Sequence, residues 1–371
     1  MTIETLSYQP GYKPGYQLLK RPLLPHGASL LSPSARAVSE PIPTSAEQSP
    51  ILLFGMPRSG TTWVGKLFDS HPGTIYRHEP DSVKRLQGVP LTASAELADY
   101  YRHRIRDYVD SIVPMTAAKT SGQLPLFPKS HLAPGSYSAQ CCWVILGKAA
   151  ERLFGRWPMP SFATATAVSR SRLVWKSIES LARTGVVLDA LPRARCVIIL
   201  RHPCGQIASR LAGSSAAKFD SEVGPENDSG VMDAMLSTAS AQRHGLTRER
   251  LAQMSVEEKL TWNWVVFNEK ALDDVEQLGL NDRCRVLVYE QLCAEPERRL
   301  RELFAFTGLE WHAQTARFID KSTGSHRQNY YSVYKKPLQA AYAWRGQLTA
   351  DQIVTVEKIL GQSRLARFYP E

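Results

Sequence analysis

The chain has 371 residues, 43% of them apolar and 22% charged, an ordinary globular balance. A domain of this size buries about three quarters of its unfolded surface, so it needs neither disulfides nor a metal for stability. Lys and Arg outnumber Asp and Glu by 45 to 35, for a formal charge of +10, yet no block of five or more basic residues occurs and no basic stretch is interleaved with aromatics. That pattern argues against a nucleic-acid partner, and a small, highly anionic ligand needs only a few of these charges.

Residues 1–48 are rich in Pro, Ser, Tyr and Gly, with the echo Pro10-Gly11-Tyr12 and Pro14-Gly15-Tyr16. They carry neither helical nor strand periodicity and read as a disordered arm. The N-terminus lacks the charged region, apolar run and cleavage site of a signal peptide. No apolar stretch reaches the ~20 residues that span a bilayer, so the expectation is a cytoplasmic protein without a transmembrane segment.

The character changes at Ile51. Ile51 to Phe54 is a continuous apolar run, as expected of a strand buried on both faces. A turn follows, then Thr61 to Asp69 with Val64, Leu67 and Phe68 at helical spacing, and Pro72 marks that helix as ended. Further buried strands are predicted at Arg172–Trp175, Cys196–Leu200 and Arg285–Tyr289, each followed by a helical pattern. The alternation predicts an α/β, P-loop-like three-layer fold, with a central, mostly parallel sheet flanked by helices. Residues 49–371 form one domain in this reading, interrupted by insertions at 81–171 and 213–254. The first insertion holds helical stretches near Ala95–Val113 and Cys142–Phe154. After the second, Ser255-Val256-Glu257-Glu258 reads as a capping box that opens a helix running to about Gln277.

The most informative segment is Gly55-Met56-Pro57-Arg58-Ser59-Gly60-Thr61-Thr62, set between a buried strand and an amphipathic helix. Its backbone N–H groups and the helix N-terminus offer an anion site. Ser59, Thr61 and Thr62 add hydroxyl donors, and Arg58 adds a planar, permanent cation. The spacing overlaps the Walker pattern G-x-x-x-x-G-K-[ST], but Thr61 stands in the lysine position. Two later strands end in Leu200-Arg201 and Trp175-Lys176, where a kinase would place a Mg²⁺-binding acid. Both features count against a nucleoside triphosphate and favour a phosphate neutralised by side chains. The six cysteines, Cys141, Cys142, Cys196, Cys204, Cys284 and Cys293, show no C-x-x-C or Cys/His metal spacing. No metal site is predicted, and the usage suits a reducing compartment.

A second motif lies in CVIILRHPCGQIASRL, with Arg201 at a strand end and Ser209 eight positions later on the next helix. Ile207 and Leu211 face the core, so Ser209 stands off that stripe and can approach the same phosphate as Arg201 at the carboxyl edge of the sheet.

At these residues the chain resembles the sulfotransferases that use 3′-phosphoadenosine 5′-phosphosulfate (PAPS). The run FGMPRSGTTWVGKLFDSHP resembles their 5′-phosphosulfate loop in its P-R-S-G-T form, and Arg201 with Ser209 resembles their 3′-phosphate motif. The resemblance implies PAPS as co-substrate, without metal, bound by Arg58, Ser59, Gly60, Thr61, Thr62, Trp63, Arg201 and Ser209. His326 and Arg327 belong to a basic tail similar to the loop that closes over the nucleotide in this family, though it departs from the R-K-G-x-x-G-x-W form. The tail also contains Lys335, Lys336 and the pair Trp344-Arg345.

For chemistry, the resemblance puts a base in Tyr76-Arg77-His78-Glu79-Pro80, with Glu79 favoured and His78 its rival. If the strand continues there, neighbours point to opposite faces and only one of the two can serve. Arg58 and Lys176 would stabilise the sulfuryl group and the leaving phosphate. Glu290 is read as structural. The implied reaction is metal-free, in-line sulfuryl transfer to a hydroxyl, leaning toward carbohydrate or glycolipid, with phenol, steroid or tyrosine peptide as alternatives. A P-loop kinase using ATP and a catalytically silent nucleotide-binding protein are the competing readings. The sequence carries no signal for oligomeric state.

Overall fold

The computed structural model describes residues 49–133, 135–154, 170–215, 228–324 and 337–370. The arm expected over 1–48 lies outside them. The chain enters through β1 (Ile51–Gly55), every residue of which is buried. Alternation along it sends Leu52 and Phe54 to one face of the sheet and Ile51 and Leu53 to the other. α1 (Thr61–Asp69) then covers the second face with Val64, Leu67 and Phe68. β2 (Thr74–His78) follows, and after it the first insertion.

That insertion contains α2 (Ala98–Ile112), α3 (Ala118–Ser121) and α4 (Ser136–Phe154). α2 buries Tyr101, Ile105, Tyr108, Val109 and Ile112, a stripe at helical spacing that packs on the Leu52/Phe54 face. The frame resumes with β3 (Arg172–Ser177), α5 (Thr184–Ala190), β4 (Arg195–Leu200) and α6 (Pro203–Ser215). Three short helices, Ser229–Leu236, Ala239–Arg243 and Arg248–Ala252, occupy the described part of the second insertion. α7 (Val256–Gln277) is next, then β5 (Cys284–Val288) and α8 (Tyr289–Ala294). The chain closes with α9 (Pro296–Thr307), α10 (Ala313–Gly324), α11 (Pro337–Tyr342) and α12 (Ala350–Leu360).

The five strands lie in the order β2-β3-β1-β4-β5, and every neighbouring pair is parallel. Helices α2, α5 and α7 cover one face, while α1, α9 and α10 cover the other. The three-layer α/β arrangement expected from the apolar runs is thus present, with a sheet parallel throughout. Because all strands point one way, their carboxyl ends form a single edge. Lys176 pairs there with Leu53 and His78, and Leu200 with Val288. β1 sits in the middle, so the loop after it opens between the ends of β3 and β4, the position where open parallel sheets bind ligands. Among the described residues no helix is long and apolar enough to cross a membrane.

α7 begins where its capping box predicts. Ser255 Oγ accepts from the Glu258 N–H at 3.2 Å, and Glu258 Oε2 accepts from the Ser255 N–H at 2.8 Å. Ser255→Ala is expected to lower the unfolding free energy by about 1 kcal/mol. Urea denaturation should show a lower midpoint with an unchanged slope. No shift in midpoint would mean that the buried Trp262 and Trp264 alone hold the helix.

Candidate active site

The loop after β1 reverses the chain inside five residues, and its backbone records the effort. Gly60 has φ 83° and Arg58 φ 73°, both in the left-handed region. A Cβ at Gly60 would also lie 2.2 Å from the Tyr289 ring, so only glycine is accommodated. The Gly60 carbonyl accepts from the N–H groups of Trp63 at 3.0 Å and Val64 at 3.2 Å, which starts α1 without a side-chain cap. Ser59 is 1% exposed, and its hydroxyl has no partner among the described residues. An orphaned buried donor beside an uncapped helix start fits an anionic group.

Trp63 is held by its protein neighbours. Its indole N–H bonds Ser322 Oγ at 3.3 Å, its backbone N–H is used by Gly60, and its ring packs edge-on to Tyr289. With both donors engaged, Trp63 packs into the core between α1 and α10, and any contact with a ligand would be through its ring. Thr61 is buried at the helix start, and Thr62 is partly exposed.

The second motif meets the first. Arg58 Nε donates to Ser209 Oγ at 3.0 Å, and Arg201 Nη1 donates to the Arg58 carbonyl at 2.9 Å. Arg201 Nη2 reaches the Ala340 carbonyl on α11 at 3.1 Å, and its Nε is buried with no partner among the described residues. The guanidinium lies over the same Tyr289 ring, 5.3 Å from its centre. No carboxylate among the described residues neutralises Arg201 by an ion pair. Gln206 on α6 adds a bond to the Pro57 carbonyl at 3.0 Å. Glu290 accepts from the His202 N–H at 3.1 Å and so joins α8 to the turn after β4, the structural part expected of it. His326, Arg327, Lys335 and Lys336 lie outside the described residues. From the same tail, Trp344 stacks on His202 with ring centres 5.1 Å apart.

His202, Cys204 and Glu357 bring three metal-ligating atoms within 4.8 Å of one another, which no sequence spacing announces. Hydrogen bonding accounts for the trio. His202 Nδ1 accepts from the Cys204 N–H at 3.3 Å, so Nε2 carries the proton and faces Glu357 Oε1 at 3.5 Å. A ligating nitrogen would have to be Nε2 without that proton, so His202 acts as the cap of α6.

A second cluster is built from the ends of β2 and β3. Lys176, 1% exposed at its side chain, bonds Glu79 Oε1, and Lys119 on α3 approaches Oε2 at 3.8 Å. The strand stops at His78, and Glu79 turns left-handed with φ 45°. The alternation rule therefore lapses, and both residues come to one place, with His78 Nε2 3.6 Å from Glu79 Oε1. Tyr76 OH lies 2.8 Å from His78 Nδ1. Beside a carboxylate Nε2 holds the hydrogen, leaving Nδ1 to accept from Tyr76. In that tautomer both nitrogens of His78 are engaged, Nδ1 by Tyr76 and Nε2 toward Glu79. Neither Lys119, in an insertion without readable pattern, nor Asp81, two residues past Glu79, is anticipated from the sequence.

Burial alone would raise the Glu79 carboxyl, but Lys176, His78 and Lys119 outweigh it and bring it to about 2. His78 is pushed to about 3 by burial and then by Lys176, so it is neutral and Lys176 is the dominant cation. Burial lowers Lys176 too, partly offset by Glu79. In the fold His78 sits below its ordinary 6.5, so the unfolded chain binds the extra proton. That stability is complete above pH 6.5 and is lost as pH falls toward 3. Glu79 acts in the same sense, complete above 4.5 and lost toward 2. His71, His131 and His202 are each lowered by burial to about 4. Unfolding free energy is expected to decline from pH 6.5 downward and more steeply below 4.5. A urea-unfolding series that stays flat to 4.5 would refute the buried, neutral histidines.

Known proteins share this framework. A family model described as "Sulfotransferase family" matches residues 50–313. Carbohydrate sulfotransferase 5 of Mus musculus is 25% identical over 353 residues, covering 87% of this chain and 82% of the relative. Carbohydrate sulfotransferase 6 of Homo sapiens is 24% identical over 328 residues, covering 83% and 78%. The crystal structure of sulfotransferase STF9 from Mycobacterium avium is 15% identical, with a TM-score of 0.40 over 88% of this chain and 78% of that one. The family match runs from β1 through β5 and so includes the loop, Glu79, Lys176, Arg201 and Ser209: the chain belongs to the sulfotransferase family.

Proposed function

We propose that the enzyme transfers the sulfuryl group of PAPS to a carbohydrate hydroxyl, with Glu79 as base. The observation that carries this reading is the joining of Arg58, Ser209 and Arg201 into one donor chain beside the Glu79–Lys176 pair. An anion hub and a carboxylate–ammonium pair on one edge of the sheet suit a substrate with phosphates at one end and a reacting group at the other. The carbohydrate acceptor draws on two relatives, both carbohydrate sulfotransferases by name.

PAPS supplies an activated sulfuryl group and a phosphate leaving group. Ser59, Arg58 and the first turn of α1 would hold the 5′ end, and Arg201 and Ser209 the 3′-phosphate. Glu79 would take the acceptor's proton at Oε2, since Oε1 is occupied by Lys176. The low proton affinity of Glu79 belongs to a carboxylate gripped by Lys176. Lys176 shared with an anion grips it less, which raises the basicity of Glu79 toward the useful range.

Calorimetry with adenosine 3′,5′-bisphosphate should register binding without metal, weakened about tenfold or more in Arg201→Ala. Binding of ATP with Mg²⁺ in its place would sink the donor assignment. Glu79→Gln should leave bisphosphate affinity intact while lowering kcat with PAPS and a sugar acceptor about 10²- to 10⁴-fold.

A further inference from the structure

Glu79 can stand over Lys176 only because its backbone adopts the left-handed conformation, with φ 45° and ψ 52°. A residue with a Cβ keeps that conformation when its surroundings over-determine it. On one side its N–H donates to the Lys176 carbonyl at 2.8 Å. On the other its carbonyl accepts from the hydroxyl of Ser82 at 2.8 Å. Asp81 lies between these residues in the one-turn helix Pro80–Ser82, and it is 1% exposed.

Asp81 Oδ2 accepts from Ser180 Oγ at 2.7 Å and from Ser177 Oγ, the hydroxyl of the last residue of β3. Ser177 Oγ already accepts from the N–H groups of Glu179 at 3.0 Å and Ser180 at 2.9 Å. Its hydroxyl hydrogen is thereby directed at Asp81, and the contact has a fixed sense. The turn bearing Glu79 is thus fastened to β3 twice, through the backbone of Lys176 and through the side chain of Ser177. The second oxygen, Asp81 Oδ1, is buried with no partner among the described residues. Asp81 forms no ion pair among the described residues, although its charge favours the protonated forms of Lys176 and Arg183, whereas both serines use its acceptor oxygen directly.

We infer that Asp81 is a positioning residue, whose bonds to Ser177 and Ser180 hold the left-handed Glu79 against Lys176. The inference rests on the reading of Glu79 as the base, and it separates hydrogen bonding from charge. Asp81→Asn keeps an acceptor oxygen toward the serines and removes the charge. Asp81→Ala removes both.

Asp81→Ala is expected to lower kcat about 10- to 100-fold, with bisphosphate affinity and the KM for PAPS unchanged. Its crystal structure should show Glu79 out of the left-handed region and off Lys176. Asp81→Asn should restore kcat to within about threefold of the parent enzyme and keep Glu79 in place. If Asp81→Ala does not fold, the double variant Ser177→Ala/Ser180→Ala carries the same expectations. A displaced Glu79 with undiminished kcat would remove the base assignment and leave the tether standing. An undisplaced Glu79, or an Asn variant as impaired as the Ala variant, would overturn the tether itself.

Discussion

The turn from β1 into α1 is the constraint on which the site depends. A buried strand must hand over to a buried helix while exposing backbone donors at the sheet edge. That geometry takes two left-handed residues, Arg58 and Gly60. A left-handed arginine is costly, by roughly 1–2 kcal/mol, and is retained where contacts over-determine it. Here its guanidinium is bound to Ser209 and its carbonyl to Arg201. Among the described residues, the only other non-glycine residue with positive φ is Glu79. Backbone strain is therefore concentrated at the two loops that carry the proposed chemistry, one after β1 and one after β2.

Buried charge follows a similar economy. Lys66, Lys129 and Lys176 are all lowered by burial, and each has a carboxylate partner. Asp69 serves both Lys66 and Lys129, while Glu79 serves Lys176. Lys66 also donates to the Gln123 carbonyl, and Lys129 to the His71 carbonyl. These bonds pin the segment between α2 and α4 against α1 and β2. Removing one member would leave a buried charge uncompensated, which is more damaging than replacing the whole set. The pinned segment includes α3, and so fixes where Lys119 meets Glu79.

Much of this architecture is legible in the sequence because it follows from short-range rules. Ile51 to Phe54 cannot be other than a strand buried on both faces, and Ser255 with Glu258 states where α7 begins. The eight-residue step from Arg201 to Ser209 does bring both side chains to Arg58. Long-range packing is what escapes. Alternation separates His78 from Glu79, and only the end of β2 at His78 brings them together. Trp63 reads as part of the loop until Ser322, far along the chain, is found holding its indole. Lys119 and Asp81 are likewise set by partners on other elements, and no local pattern names them.

Tyr289 touches both proposed phosphate anchors at once: its ring fills the space that a Cβ on Gly60 would need and supports the Arg201 guanidinium. One phenol ring is therefore the shared footing of two motifs that follow the adjacent strands β1 and β4. The two motifs cannot drift independently, because an adjustment at either shifts the footing of the other. Redesign of this enzyme toward a different donor would have to treat Gly60, Arg201 and Tyr289 as a single unit of change.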